Sequence, residues 1–234
     1  LPVTQTDETI KIEDGFRKFS VNTIFVIVFI TGFATFALEV SWFRSLTAAF
    51  KSTTMAFATM LAVFLISLGA ASRCSSWIKK KGVSVEILLV ISGCLVLLVT
   101  PIIERFDLIN WGTYLFLFYN VLVWLFASLY ILGPPIFSLG LILPILLDKQ
   151  TEPRRVGQLY AINAIGSVCG ALIAGWILLP QIGFVHTAWV AGIILSFLGL
   201  LLLPRNKKAI LILFVFSLTT AVILTSRIGT TSSP

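Results

Sequence analysis

Between Val21 and Ser226 the chain is a succession of seven long apolar runs, with Lys and Arg gathered in the gaps between alternate runs. A helix needs roughly 20 consecutive apolar residues to cross a hydrocarbon layer about 30 Å thick, because every amide in lipid must be bonded within its own segment. The runs meet that length and predict membrane helices over 22–46, 55–72, 85–103, 112–133, 157–179, 184–203 and 209–226. The expected fold is all-α, a polytopic bundle of about seven transmembrane helices over 21–227. A cytoplasmic interfacial segment, 1–20, precedes it and a flexible tail, 228–234, follows.

One stretch leaves alternatives open. Apolar residues continue from Gly133 to Leu147, too short for a comfortable crossing, and Pro134 and Pro135 remove two amide donors at its start. The piece 136–147 reads as a bent continuation of the fourth span, a re-entrant segment or an interfacial helix. Charge decides the parity. With seven crossings and the N-terminus inside, all of the 17 Lys and Arg except Arg44, Lys51, Arg105 and Arg227 fall on the inner side. An eighth crossing would put the last two basic loops outside, so the expected orientation is N-inside and C-outside. Trp42, Trp111, Tyr114, Trp176 and Trp189 then mark the outer headgroup level, with Trp77 and Tyr160 at the inner one.

Composition excludes an ordinary soluble domain: 58% of residues are hydrophobic, 12% are charged and the mean hydropathy is +1.02. The net charge of +7 sits in short inner loops, where membrane lipids and orientation account for it, and no nucleic-acid partner is expected. Cys74, Cys94 and Cys169 form no CxxC pair, and His186 stands alone, so no metal site, cofactor or catalytic residue is expected. The chain opens on Leu1 without a cleavage sequence ahead of its first span, which reads as a processed or truncated start.

Two features rise above hydropathy. Glu39 is the acid deepest within an expected span, in the run LEVSWFRSL at 38–46, and a charge at that depth is expected to face into the bundle. Arg44, five residues on, lies about 140° round the helix and is not its i,i+4 partner. The pair reads either as a proton or cation site, or as a structural carboxylate with Arg44 reaching for headgroups. The second feature is GQLYAINAIGSVCGALIAG at 157–175. There Gly166 and Gly170 form GxxxG, Ser167 and Gly175 extend the small-residue pattern, and Asn163, Ser167, Gly170 and Ala174 share one face. Small residues let helices approach closely in lipid, so this helix is expected at the centre of the bundle, with Asn163 making an interhelical bond or holding a ligand.

These same runs, with FATMLAVFLISLGAAS at 57–72 and LPILLDK at 143–149, resemble the membrane portion of the spermidine-synthase-like membrane proteins over most of 30–185. The resemblance implies the multi-helix membrane domain of that family. Its soluble aminopropyltransferase-like domain would follow the last helix, and this chain stops at Pro234 without a glycine-rich strand-to-helix turn or an acidic cluster. The expectation is therefore a non-catalytic integral subunit of a bacterial inner membrane, a scaffold or accessory component for other membrane proteins. The alternative is a transporter-like bundle moving a small solute or cation by way of Glu39.

Overall fold

The computed structural model describes residues 20–104, 117–148, 150, 152–203 and 208–229. Among them the chain is all helix: α1 (Val21–Phe50), α2 (Thr53–Lys80), α3 (Val85–Glu104), α4 (Leu117–Leu147), α5 (Pro153–Ile173), α6 (Leu179–Leu202) and α7 (Lys208–Gly229). Among the described residues five helical stretches are long and apolar enough to cross a membrane: Val21–Phe50, Thr53–Lys80, Val85–Ile103, Leu122–Leu147 and the 50-residue Pro153–Leu202. The N-terminal segment before Ser20, residues 112–116 of the expected fourth span, Trp111, Tyr114, and the tail beyond Gly229 lie outside the described residues.

Local chemistry sets the ends. Ser20 and Ser52 cap α1 and α2, their hydroxyl oxygens accepting from the amides of Thr23 and Met55. The α1–α2 turn is only Lys51 and Ser52, and Lys51 closes α1 in the left-handed region at φ 53°. Lys79 and Lys80 sit in the last turn of α2, where orphan carbonyls favour positive charge.

The stretch after Gly133 is a continuation of the fourth helix: α4 runs unbroken through Pro134, Pro135 and Pro144. The prolines deprive Tyr130, Ile131 and Gly140 of their usual i+4 donors without ending the helix, as membrane helices tolerate when neighbours pack round them. The stretch Pro153–Leu202, by contrast, is divided. A π-helical turn, Ala174–Leu178, lies next to Pro180, and the Leu179 amide reaches back five residues to the Ala174 carbonyl. Gly183 then leaves helical geometry at φ 74°, ψ 176°, separating an arm ending at Ile182 from one beginning at Phe184.

Packing fixes helix directions. The tightest pairs are α1 with α5 and α3 with α6, followed by α2 with α4. Phe29 meets Gly166, Phe33 meets Gly170 and Val40 meets Gly175, so α1 and α5 run parallel. Ser67 faces Gly133, Ala71 faces Gly140 and Lys79 pairs with Asp148 at 2.6 Å, so α2 and α4 run parallel as well. Val90 lies against Gly199 while Leu97 lies against Gly192, which makes α3 antiparallel to the second arm of α6. The core between them is filled by Ile27, Leu38, Trp42, Met60, Leu89, Leu97, Ile142 and Leu195.

Trp42 departs from the expected aromatic belt. It is 0% exposed, whereas Trp176 is 79% exposed. Position along the helix put Trp42 near the headgroups, but the face it occupies turns inward, and burial follows the face.

Candidate functional site

Glu39 stands on α1 with Phe36, Val40 and Phe43, residues at helical spacing that form one stripe. The stripe faces Phe57, Met60 and Leu61 of α2 across a groove of about 250 Å³. Glu39 is half-buried there, and Phe36, Phe57 and Leu61 are exposed beside it, so the groove opens to the outside of the bundle. The carboxylate thus lies between two helices at the surface and not in the central core, the placement expected from its charge alone. Core positions on α1 are taken by Ala34, Ala37, Leu38, Ser41 and Trp42. Among the described residues no ion pair reaches Glu39; the two present are Lys79–Asp148 and Glu152–Arg155. Arg44 is exposed and unpaired with it.

Asn163 lies on the other flank of α1. With Phe36, Ala164, Ser167, Val168, Ala171 and Leu172 it lines a second groove of about 490 Å³ between α1 and α5. Its backbone carbonyl and side-chain oxygen both press on Gly32, and the Ser167 hydroxyl donates to the Asn163 carbonyl at 2.9 Å. Phe36 walls both grooves, so Glu39 and Asn163 open on one composite face of α2, α1 and α5 without touching each other.

The small residues of α5 are placed as follows. Gly166 and Gly170 lie against the backbone of Phe29 and Phe33, Ser167 against Gly32, Gly175 beside Val40, and Ala174 is fully buried. This surface is consumed within the chain by α1, leaving the exposed side chains Ile165, Val168, Leu172 and Trp176 to face outward.

Hydroxyls inside the bundle are spent mainly on their own helices. Thr31 donates to Val28, Thr35 to Thr31, Thr100 to Val96 and Thr187 to Gly183, at 2.7–3.0 Å. Among the described residues two hydroxyl-to-oxygen bonds cross between elements: Ser92 to Ser138, 2.8 Å, joining α3 and α4, and Ser41 to the Phe184 carbonyl, tying α1 to the residue after the Gly183 break. Among the described residues, buried Trp42 Nε1, Trp189 Nε1 and the hydroxyls of Ser67 and Ser128 have no hydrogen-bond partner, while the Ser196 hydroxyl lies beside the Cys94 thiol. His186 Nδ1 donates to the Ile182 carbonyl, and its ring meets Trp189 edge-on.

Sequence reasoning missed Glu86. It is 3% exposed at the start of α3, where the helix N-terminus favours negative charge, and its own carbonyl lies near Gly199. It falls inside the expected span 85–103, but its place at the edge of the apolar run drew no notice. The available signal was Ser84 and Glu86 opening a helix. No group of three or more His, Cys, Asp or Glu suited to a metal occurs among the described residues.

What the fold defines is the class: an all-helical chain with several helices fit to cross a membrane. Comparison with protein families, with characterised proteins and with solved structures finds no match.

Proposed function

We propose that this chain is a non-catalytic integral membrane subunit, a helical scaffold that carries other membrane proteins on its outer surface. The observation behind this reading is how polar groups are distributed. Hydroxyls within the bundle bond mainly to their own helix backbones, while Glu39 and Asn163 open outward on the face of α2, α1 and α5. A solute path needs converging polar groups inside; a platform needs them at its margin.

In this reading the chain crosses a bacterial inner membrane seven times, N-inside and C-outside. The parallel course of α1 with α5 and of α2 with α4, four and two crossings apart, supports that parity, and the antiparallel course of α3 and α6, three apart, supports Gly183 as the turn between the fifth crossing and the sixth. The resemblance to the membrane domain of spermidine-synthase-like proteins belongs to the same proposal, with any catalytic partner carried on another polypeptide. Transport of a small cation through the Glu39 groove is the second reading, favoured only by that carboxylate. It ranks second because the groove lies beside α1 and α2 at the surface.

Photo-crosslinking from Val168 and Phe57 in cells tests the scaffold. The expected result is a discrete adduct with another integral membrane protein in stoichiometric yield. Adducts with lipid alone, together with a protein purified without companions in gentle detergent, would remove it.

A further inference from the structure

Glu39 is a carboxylate at a depth where hydrocarbon is the expected solvent. Its groove is walled by the rings of Phe36, Phe43 and Phe57 and the thioether of Met60, with Phe43 and Phe57 edge-to-face at 6.3 Å. Among the described residues no cation faces it from either helix: Arg44 lies about 140° round α1, and Lys51 follows the last turn. Charges held at membrane depth are ordinarily paired or face protein or water. Phenyl rings repel water, and their faces attract cations.

The groove is therefore complementary to one cation carried on an apolar body. Its form narrows the choice. The stripe of Phe36, Glu39 and Phe43 on α1 runs antiparallel to Phe57 and Leu61 on α2, and a cleft between two such ridges is shaped to seat a third helix. Glu39 is seven residues, about 10 Å, short of the outer end of the expected span at 46. A lipid ammonium from the outer headgroup layer would have to draw its phosphate into hydrocarbon to reach it. A Lys or Arg on a neighbouring span arrives at that depth directly, with its methylenes lying along the phenyl rings.

We infer that the α1–α2 groove seats a transmembrane helix of a partner protein bearing a single Lys or Arg within its apolar span, paired with Glu39. The inference rests on the scaffold reading and specifies the partner chemistry at one of its surfaces.

The test uses the full chain in phosphatidylcholine vesicles with a synthetic single-span leucine–alanine helix carrying one Lys at the depth of Glu39, association being read by energy transfer. The Lys probe should bind about tenfold more tightly than the same helix with Leu there, and Glu39→Gln, with unchanged thermal unfolding, should erase the difference. Glu39→Lys should in turn prefer a probe with Glu at that depth. Equal binding of Lys and Leu probes overturns the inference. So does a preference that persists in Glu39→Gln, or one abolished when an amine-headgroup lipid replaces half the phosphatidylcholine, which would assign the groove to lipid. Energy transfer between labelled copies of the chain that disappears in Glu39→Gln would assign it to a second copy and likewise overturn it. Because the probe is synthetic, its failure leaves native companions recovered by crosslinking unaffected, and their absence leaves the probe result standing.

Discussion

Gly170 of α5 rests directly on the backbone carbonyl of Phe33 in α1, and one turn earlier Gly166 rests on that of Phe29 in the same way. A Cβ at either glycine would fall inside the contact shell of the facing oxygen. In lipid, apolar side chains gain little by exchanging hydrocarbon for each other, so the closeness of two backbones is what holds α1 to α5.

Gly170→Ala should therefore destabilise the protein by about 1–3 kcal/mol, the usual cost of overpacking a tight contact. Gly69 in α2 has nothing within 4 Å of a Cβ, and Gly69→Ala should be neutral or stabilising by up to about 1 kcal/mol. Thermal unfolding of both variants in one detergent gives the comparison. Equal shifts in the same direction would contradict the crossing as described.

Gly82 and Gly183 both have positive φ, at 71° and 74°, and both have open space around the missing Cβ. They differ in what else is required. Gly82 follows the end of α2, in the place where Asn is an accepted substitute for Gly. Gly183 has ψ 176°, in a region open essentially to glycine alone, where other residues cost about 1–3 kcal/mol. Gly82→Asn should be tolerated, while Gly183→Asn should lower the denaturant midpoint and loosen the Ser41 bond to Phe184 next to it.

Ser92 and Ser138 bridge α3 and α4 at 2.8 Å, with Ser92 also bonded to Leu88 and Ser138 to Pro135. Ser138→Ala should cost on the order of 1 kcal/mol, the measured scale for hydrogen bonds between membrane helices. Ser92→Ala in the Ser138→Ala background should add little, because the shared bond is already gone. Fully additive losses in the double mutant would show that the two hydroxyls act separately.

The proposed parity makes Ser52, between α1 and α2, and Lys80, at the end of α2, face opposite compartments. In a cysteine-free background, Ser52→Cys should react with an impermeant maleimide in intact cells and Lys80→Cys only after permeabilisation. Labelling of both from one side would refute the orientation.

Helix positions were legible in the hydropathy because an amide in hydrocarbon must find its partner along its own segment, so each span is written locally. α1, α2 and α3 lie over the expected 22–46, 55–72 and 85–103, with α1 and α2 extending past both ends of the apolar run into capping residues. The fate of Gly133–Leu147 was not legible. Proline costs a helix its donors, and whether the helix survives depends on neighbours, here α2 and α3, that lie far away in sequence.

The facing of individual residues was the harder matter. Trp42 is buried and Glu39 opens to an outer groove, although both sit at similar depth on α1. A water-soluble helix announces its inner face by contrast with a polar outer one. A helix in lipid is apolar on both, so its sequence carries little angular information.

What the chain determined alone is its solvent and its helical character, because transfer of apolar segments and local satisfaction of amides require no distant partner. Only the tertiary structure decided that α1 lies parallel to α5 against Gly166 and Gly170, and that α4 passes intact through its prolines. It likewise turned Glu39 outward between α1 and α2. Each of these is a relation between spans, fixed by which surfaces fit closely enough to touch.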